Sequence, residues 1–305
     1  MRIDDNPNEL LDYLRNMGFQ ASELMRASDL MREMFKDSTV LMSFTANMVA
    51  SGLRGLFREM VKRRLVAVIY TTAGAIEHDF IKSRMDYQLG DFQANDWEMR
   101  RQGRARIGNI IVPPPAYPTL EKVFNEIIEG REHIGAQELA YALGEAAGEN
   151  SIFYWAKANN IPVAVPGITD GALGLFTSFV KQYRPFWIDP TDYMDEVKNV
   201  VLAAEKLGGI VLGGGIAKHH LIGSSIPRGG LDYAVYFSTA MEWDGSLSGA
   251  PPREAITWNK LKGRAVQVFG DVTINFTLAM WPILYGKNSI LPNASKKGKN
   301  GQEKR

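Results

Sequence analysis

The residues best suited to chemistry lie in the segment Glu254-Ala-Ile-Thr-Trp-Asn-Lys260. A lysine becomes a nucleophile only when its ammonium group loses a proton, and burial against apolar or aromatic surface promotes that loss. Trp258 can supply such a wall beside Lys260, and it can also cradle an aliphatic polyamine or its cation. Most lysines are solvated surface charges, so the segment alone leaves both interpretations open. As a functional hypothesis, the pattern indicates amine chemistry at Lys260.

Two adjacent histidines, His219 and His220, follow the glycine run Gly213 to Gly215. Neighbouring residues on a helix do not face the same way, so the pair is poorly suited to bind one metal ion. His78 and His133 add no zinc-like spacing, and we expect no metal site. Each histidine of the pair can be structural, but its place after a cofactor-type turn keeps a proton-transferring role open.

Small residues mark three places where a strand should meet a helix, namely Thr72-Ala-Gly74, Thr169-Asp-Gly171 and Gly213-Gly-Gly215. Such turns let backbone N–H groups approach a phosphate, and the following helix adds a favourable dipole. The Gly-x-Gly-x-x-Gly fingerprint is absent, so the standard dinucleotide motif is not present. One such turn is usually plain loop geometry, whereas three in one α/β chain favour a bound ligand.

Carboxylates near the proposed strand ends would suit a cationic substrate, although each could instead cap a helix or remain solvated. They are Glu77, Asp79, Glu242, Asp244 and Glu254.

The composition of the 305-residue chain excludes several classes of protein. Its 35 basic and 34 acidic residues nearly cancel, so no overall positive field argues for nucleic acid. There is no cysteine, which rules out disulfides and thiolate chemistry. No apolar run reaches the roughly 18 residues that span a bilayer, and the first residues do not resemble a signal peptide. We expect a soluble, cytoplasmic protein without a membrane partner.

Short apolar runs alternate with helical segments along most of the chain. This pattern predicts an α/β fold with a Rossmann-like, mostly parallel sheet, helices on both faces, and ligands beyond the carboxyl ends of the strands. The predicted strands are Val40–Phe44, Leu65–Tyr70, Pro162–Val165, Ile210–Leu212, Ala234–Phe237 and Ala265–Phe269.

We expect three parts along the chain. Residues 1–36 form an N-terminal helical segment with two helices joined at Gly18, and residues 37–286 form the α/β catalytic domain. Within that domain, residues 83–117 are predicted to be a long ordered excursion. Residues 287–305 are polar and basic without periodicity, which indicates a disordered tail.

Together these motifs resemble the deoxyhypusine synthase family, and they keep the family's order from about residue 8 to residue 285. The short N-terminal and internal segments resemble archaeal members. The blocks that carry the resemblance are Ser43-Phe-Thr-Ala-Asn47, Ser51-Gly-Leu-Arg54, Thr71-Thr-Ala-Gly-Ala-Ile-Glu-His-Asp79, Arg106-Ile-Gly-Asn-Ile-Ile-Val-Pro113, Thr169-Asp-Gly171, Leu212-Gly-Gly-Gly-Ile-Ala-Lys-His-His220, Asp232-Tyr-Ala-Val-Tyr236, Asp244-Gly-Ser-Leu-Ser-Gly-Ala250 and Glu254-Ala-Ile-Thr-Trp-Asn-Lys260.

The resemblance implies the deoxyhypusine synthase fold and an NAD-dependent transfer of the aminobutyl group of spermidine to one lysine of the hypusine-containing translation factor. In that family NAD oxidises spermidine to an imine. A lysine of the enzyme captures the four-carbon fragment as a covalent imine and releases 1,3-diaminopropane. The fragment then passes to the protein lysine, and NADH reduces the final imine. Family members are homotetramers, built as dimers of dimers with sites shared across the dimer interface.

The resemblance also implies roles for individual residues. Lys260 matches the imine-forming lysine, Trp258 the aromatic wall beside it, and His219 the histidine that assists proton transfer. Substrate contacts are implied for Glu254, Glu77, Gly245 and Ser246. Contacts with NAD are implied for Thr45, Ala46, Asn47, Thr72, Ala73, Gly74, Asp170, Gly214, Gly215, Thr239, Ala240, Asp271 and Val272.

Three positions depart from the family pattern, because His78, Leu175 and Leu247 stand where the family has acidic residues. Their replacement removes counter-charges for a polycation, and a buried ammonium without a partner is costly. The amine must therefore be held differently, or a different amine is used.

Two alternatives follow. One is a homospermidine synthase-like enzyme that passes the aminobutyl group to a free diamine such as putrescine. The other is a non-catalytic NAD-binding relative, against which the joint presence of Lys260, Trp258 and His219 argues.

Overall fold

The computed structural model of the protein describes residues 7–285, so the predicted tail lies outside the described residues. Within this range the strands are short and most are buried. In chain order they are β1 (Thr39–Phe44), β2 (Val68–Tyr70), β3 (Gln88–Leu89), β4 (Ala105–Ile107), β5 (Ile110–Val112), β6 (His133–Gly135), β7 (Val163–Ala164), β8 (Trp187–Asp189), β9 (Leu207–Leu212), β10 (Leu231–Ser238) and β11 (Leu261–Phe269).

Helices connect and cover these strands. A π-helical turn at Val49–Leu53 joins α3 to α4, where Gly52 has a φ of 115° that glycine tolerates. The α-helices are α1 (Pro7–Arg15), α2 (Gln20–Asp37), α3 (Ala46–Met48), α4 (Arg54–Lys62), α5 (Ala73–Arg84), α6 (Asp96–Arg101), α7 (Ala116–Ile127), α8 (Ala136–Ala147), α9 (Ile152–Ala158), α10 (Ala172–Val180), α11 (Met194–Ala203), α12 (Gly215–Ser224), α13 (Pro252–Thr257) and α14 (Val272–Leu284).

The main sheet of the described chain is parallel throughout and has the strand order β11-β10-β9-β1-β2-β7. The six strands predicted from apolar runs are its six strands, so the predicted α/β fold class is confirmed. The second strand is shorter than predicted, because it begins at Val68 rather than at Leu65.

Apolar side chains cover both faces of this sheet, which is why its strands read as continuous apolar runs. Along β1, Val40, Met42 and Phe44 belong to one apolar cluster, whereas Leu41 belongs to the other. Helices α2 and α14 pack on the first face, and α11, α12 and α13 lie on the second. The helix that positions His219 therefore lies on the second face.

The strand order reverses between β1 and β9. From β1 the sheet grows through β2 to β7, and on the other side of β1 it grows from β9 through β10 to β11. Connections after β1 and β9 thus diverge, which leaves a crevice beyond their carboxyl ends. Open α/β sheets bind ligands at this position, as the sequence predicts.

The predicted excursion over residues 83–117 is ordered. It contains α6 and an antiparallel sheet with the strand order β3-β5-β4. Tyr87 ties it to the main body, since its hydroxyl lies 2.8 Å from Nδ1 of His78. Among residues 7–285, no helix combines the length and the apolar composition needed to cross a bilayer.

Candidate active site

Helix α12 presents three consecutive side chains in three directions. It begins at Gly215, after Gly213 turns the chain with a φ of 84° at the end of β9. Since successive residues of an α-helix are about 100° apart, its neighbours contact different parts of the fold. Lys218 contacts the loop 241–251, His219 contacts Lys260, and His220 contacts Tyr193 and Tyr70. We call this loop the 241–251 loop.

Two backbone hydrogen bonds fix the position of Lys260. Its N–H donates to the carbonyl oxygen of Ala255 at 2.9 Å, and its carbonyl oxygen accepts from the N–H of Leu231 at 3.1 Å. The preceding residue, Asn259, has a φ of 54°, a conformation that asparagine tolerates better than most residues. The turn after α13 therefore fixes the point from which the lysine side chain projects.

The amine of Lys260 meets an imidazole and an indole. Nζ lies 3.4 Å from Nε2 of His219 and 5.4 Å from the centroid of the Trp258 ring. Trp258 is 64% exposed, so its indole forms one side of a site that opens to solvent. The structure thus brings together Lys260, His219 and Trp258 from α12 and the turn after α13.

A cavity of 210 Å³ lies beside these groups. Its wall carries one carboxylate, that of Glu254 on α13, and is otherwise built of cationic, apolar and aromatic side chains. Leu247, one of the three positions where the resemblance implies an acid, is part of this wall. The residues that line the cavity are Lys218, His219, Ile222, Tyr236, Leu247, Ala250, Pro251, Glu254, Ala255, Trp258 and Lys260.

Lys218 is a buried member of this wall that our sequence analysis did not identify. Its Nζ donates to the carbonyl oxygens of Leu247 at 2.8 Å, Ser248 at 3.2 Å and Ala250 at 2.7 Å. Burial lowers its pKa to about 8, an effect that the charge of Glu254 opposes. In the sequence it looks like any solvated lysine, because its partners are backbone carbonyls that only the folded loop supplies.

The surroundings of the two histidines of α12 favour the neutral imidazole over the charged one. Burial, and then the charge of Lys260, lowers the pKa of His219. Burial also lowers the pKa of His220, whose Nε2 lies 3.1 Å from the hydroxyl of Tyr193. A neutral His219 can accept a proton from a neighbouring amine.

The residues implied to contact NAD lie beyond the carboxyl ends of the strands. Each group follows a different strand of the main sheet. Thr45, Ala46 and Asn47 follow β1, Thr72, Ala73 and Gly74 follow β2, Asp170 follows β7, Gly214 and Gly215 follow β9, Thr239 and Ala240 follow β10, and Asp271 and Val272 follow β11.

Several features of this edge fit a dinucleotide. A Cβ on Gly74 would lie 2.9 Å from Cβ of Ala46, so only glycine allows the turns after β1 and β2 to approach so closely. Thr72 makes no side-chain cap on α5, which leaves first-turn N–H groups open to an anion. Ser43 of β1 has a buried hydroxyl without a partner among the described residues. Of these groups, the open N–H groups at the start of α5 can hold a phosphate of such a ligand.

Part of the same edge is occupied by the protein itself. The N–H of Gly215 donates to Oγ of Ser248 at 2.9 Å, so the 241–251 loop caps α12. A Cβ on Gly214 would lie 2.6 Å from Cα of Ser248. The glycines after β9 therefore allow the 241–251 loop to approach α12 closely, whether or not they also contact a cofactor. Asp271 likewise caps α14, accepting from the N–H of Ile274 at 3.1 Å.

Lys260 lies at the other end of the sheet. It immediately precedes β11, whereas Asp271 follows that strand. A strand of nine residues spans roughly 30 Å. We expected the informative residues to follow the strands, and for Lys260 this was wrong. The reason is that α13 returns the chain to the amino end of the sheet before the parallel strand β11 begins.

The carboxylates of α5 serve the fold. Glu77 is buried and accepts from the N–H of Leu173 at 3.0 Å, thereby capping α10, and burial raises its pKa. Asp79 pairs with Arg54 at 2.7 Å and accepts from the N–H of Ile152 at 3.0 Å. Neither group lines the Lys260 cavity in the described chain.

The remaining predicted substrate contacts lie in the 241–251 loop. Gly245 has a φ of 77°, and the N–H of Ser246 donates to the carboxylate of Asp244 at 2.7 Å. Both residues are exposed and do not line the cavity. Leu175 is 53% exposed on α10, away from the cavity wall that contains Leu247.

Comparison with known proteins agrees with this architecture. The sequence model of the deoxyhypusine synthase family matches residues 9–285. The probable deoxyhypusine synthase of Thermococcus onnurineus is 39% identical over 302 residues, covering 90% of each chain. That of Thermoplasma acidophilum is 40% identical over 294 residues, covering 92% of this chain and 94% of the relative.

A solved structure described as a deoxyhypusine synthase from Entamoeba histolytica is similar in fold. Its TM-score is 0.62 at 24% sequence identity, and the match covers 90% of this chain and 91% of that chain. At this level of identity the likeness concerns the fold alone.

Proposed function

Because this chain belongs to the deoxyhypusine synthase family of aminobutyltransferases, we propose that it transfers the aminobutyl group of spermidine to a lysine of the hypusine-containing translation factor. NAD is the proposed cofactor. The observation that carries the proposal is the amine of Lys260, 3.4 Å from Nε2 of His219 and 5.4 Å from the Trp258 ring, beside a cavity of 210 Å³.

The bound dinucleotide would supply a hydride acceptor at the start of the reaction and return the hydride at its end. Nζ of Lys260 then forms a bond to the oxidised carbon of the four-carbon fragment. The bond from that carbon to the departing nitrogen breaks, and 1,3-diaminopropane leaves with the electron pair and a proton. The acceptor lysine displaces Lys260 from the fragment in the same way.

His219 is the proposed proton carrier in these exchanges. Its lowered pKa keeps the imidazole able to accept the proton that Lys260 loses on bonding to carbon, and to donate it to the departing amine. Trp258 covers one side of the reacting amine, and Glu254 supplies a counter-charge for a substrate ammonium at the cavity wall.

We also propose that each working site includes two copies of the chain, within a homotetramer acting in the cytoplasm. The support is the family resemblance, whose members are homotetramers with sites shared across the dimer interface. The cofactor would be held by Thr72 to Gly74 and the residues after β1 and β9.

Borohydride trapping tests the proposal. The protein is incubated with NAD and spermidine, reduced, digested and analysed by mass spectrometry. A butylamine-sized adduct is expected on the peptide that contains Lys260. Lys260→Ala should abolish it, while Lys262→Ala, a surface lysine two positions along the chain, should retain it. If the wild-type protein binds NAD but forms no adduct with any polyamine, the proposed enzymatic function is wrong.

The second candidate function is aminobutyl transfer to a free diamine. It is favoured by Leu247 in the cavity wall, where a single carboxylate faces the substrate. Supplying putrescine without the translation factor separates the two candidates. A new triamine would support the diamine acceptor, and modification of the factor alone would support the protein acceptor.

A further inference from the structure

The turn that follows α12 contacts the backbone of Lys260. It runs from Ser225 to Gly230 and contains a 3₁₀ turn at Ile226–Arg228, and we call it the 225–230 turn. The carbonyl oxygen of Lys260 accepts from the N–H of Leu231, which directly follows this turn, at 3.1 Å. The same oxygen lies 3.2 Å from the buried hydroxyl of Ser225. Both contacts involve the main chain of Lys260, so they fix the point from which its side chain starts.

Gly230 makes the closest approach to this part of the chain. A Cβ on Gly230 would lie 2.9 Å from three main-chain atoms, which are the carbonyl oxygen of Asn259, the carbonyl carbon of Lys260 and the nitrogen of Leu261. Main-chain atoms cannot rotate away as a flexible side chain could. The N–H of Gly230 donates to the carbonyl oxygen of Ser225 at 3.0 Å, so the glycine is itself tied to the end of α12. Only a residue without a side chain allows the turn and the Lys260 backbone to pack this closely.

Helix α12 therefore contacts Lys260 at two points. His219 meets the amine, and the 225–230 turn at the end of the helix meets the backbone. The 3.4 Å between Nζ and Nε2 depends on where the Lys260 backbone lies relative to α12, because the lysine side chain has a limited reach. Displacement of a reacting group by about 1 Å can slow a reaction about 100-fold.

We infer that Gly230 and Ser225 are positioning residues, which hold the backbone of Lys260 so that its amine meets the imidazole of His219. Neither residue lines the Lys260 cavity of the described chain, so both act through the lysine and not on the substrate. The inference rests on the proposed function, which makes Lys260 the reacting amine.

Gly230→Ala and Gly229→Ala form a matched pair that tests this role. The two glycines have φ values of 95° and 87°, so alanine is strained by a left-handed backbone at both positions. Nothing lies within 4 Å of a Cβ on Gly229, whereas a Cβ on Gly230 meets the backbone of Lys260. Both variants share the backbone strain, and only Gly230→Ala should shift the lysine.

Two measurements are compared between these variants. The rate at which the borohydride-trapped adduct forms should fall about 10- to 100-fold in Gly230→Ala and less than about twofold in Gly229→Ala, while the Kd for NAD stays unchanged in both. The pKa of His219, followed by NMR, should rise in Gly230→Ala, because the charge of Lys260 that helps to lower it moves away. It should keep the wild-type value in Gly229→Ala. Equal rates and equal pKa values in the two variants would overturn the inference.

Ser225→Ala gives the answer if Gly230→Ala does not fold. It removes a hydroxyl that lies 3.2 Å from the carbonyl oxygen of Lys260 and 2.7 Å from that of Ile222, and it adds no atom. A higher pKa of His219 in this variant would support the positioning role, and an unchanged pKa would overturn it. If the wild type forms no adduct with any amine, the proposed function fails, and the pKa comparison alone then decides whether the turn positions the lysine.

Discussion

Nε2 of His219 and Nζ of Lys260 lie 3.4 Å apart although 41 positions separate them in the chain. The contact depends on α12 lying on the sheet face that α13 also covers, so that the turn after α13 ends beside the second turn of α12. The two groups are thereby held as a pair, and the charge of Lys260 helps to lower the pKa of His219.

This contact predicts a change in the titration of His219. Lys260→Met removes a neighbouring positive charge that helps to lower the pKa of His219, so that pKa should rise. NMR titration of the imidazole signals measures it. His78 is the control, since burial and Lys82 set its pKa at about 4, and it should not respond. An unchanged His219 pKa would show that the two side chains do not meet in solution.

A second prediction concerns Lys218. Lys218→Met leaves the carbonyl oxygens of Leu247, Ser248 and Ala250 without their shared donor, and it should lower the free energy of unfolding by about 2 kcal/mol at pH 7. The 241–251 loop should also become more accessible to proteases. Urea unfolding and limited proteolysis measure the two effects, and a loop with unchanged protease resistance would contradict the anchoring role.

The difference in unfolding free energy between the wild type and Lys218→Met should depend on pH, and the pKa of Lys218 gives the direction. The pKa of Lys218 is lowered in the folded protein to about 8, from an ordinary 10.5. Between these values the folded protein binds fewer protons than the unfolded chain, so raising the pH favours folding. The stability of the wild type relative to Lys218→Met should therefore increase from pH 8 to pH 10.5. A decrease across this range would show that the carbonyl partners outweigh burial.

The approach of Gly214 to Ser248 gives a third prediction. Gly214→Ala places a Cβ 2.6 Å from Cα of Ser248 and should destabilise the protein by about 2 kcal/mol. Gly223→Ala is the control, because nothing lies within 4 Å of the added Cβ in the same helix, and it should be neutral or stabilising. Adding Ser248→Gly to Gly214→Ala should recover part of the loss in a double-mutant cycle. Additive effects would argue against the contact.

The proposed sharing of each site between two copies predicts complementation between variants. Lys260→Ala and Asp170→Ala should each be inactive alone, since Asp170 is proposed to contact NAD. If Lys260 and Asp170 of one site come from different copies, unfolding and refolding the two variants together should recover activity. Random pairing yields half hybrid dimers with one intact site of two, about one quarter of the wild-type rate. No recovery would place both residues of a site in one chain.

The sheet could be predicted from the sequence because its strands are buried on both faces. Runs such as Val40–Phe44 are apolar at every position except Ser43, and the small residues that follow several of the strands mark their ends. Strand limits were less accurate, and Leu65 lies before the strand that begins at Val68 because only Val68–Tyr70 pairs with β1.

The site could be predicted in part. Lys260, Trp258 and His219 were identified by residue type and resemblance, and they lie together. Lys218 was missed, because its burial depends on carbonyl groups 29 to 32 positions away. Helix capping by Glu77 was left open as an alternative, but α10 could not be identified as the helix it caps, since 96 positions separate Glu77 from Leu173. Contacts of this range are created by the tertiary fold and leave no local pattern.

The three adjacent side chains of Lys218, His219 and His220 on α12 contact different parts of the fold, and this limits how the segment can change. Substituting Lys218, His219 or His220 removes one contact and leaves the other two in place. Inserting one residue between Gly215 and Lys218 would turn everything after it by about 100°. The loop, Lys260 and the Tyr193 hydroxyl would then all face the wrong side chains. A change of length in this short stretch should therefore cost more than any point substitution within it.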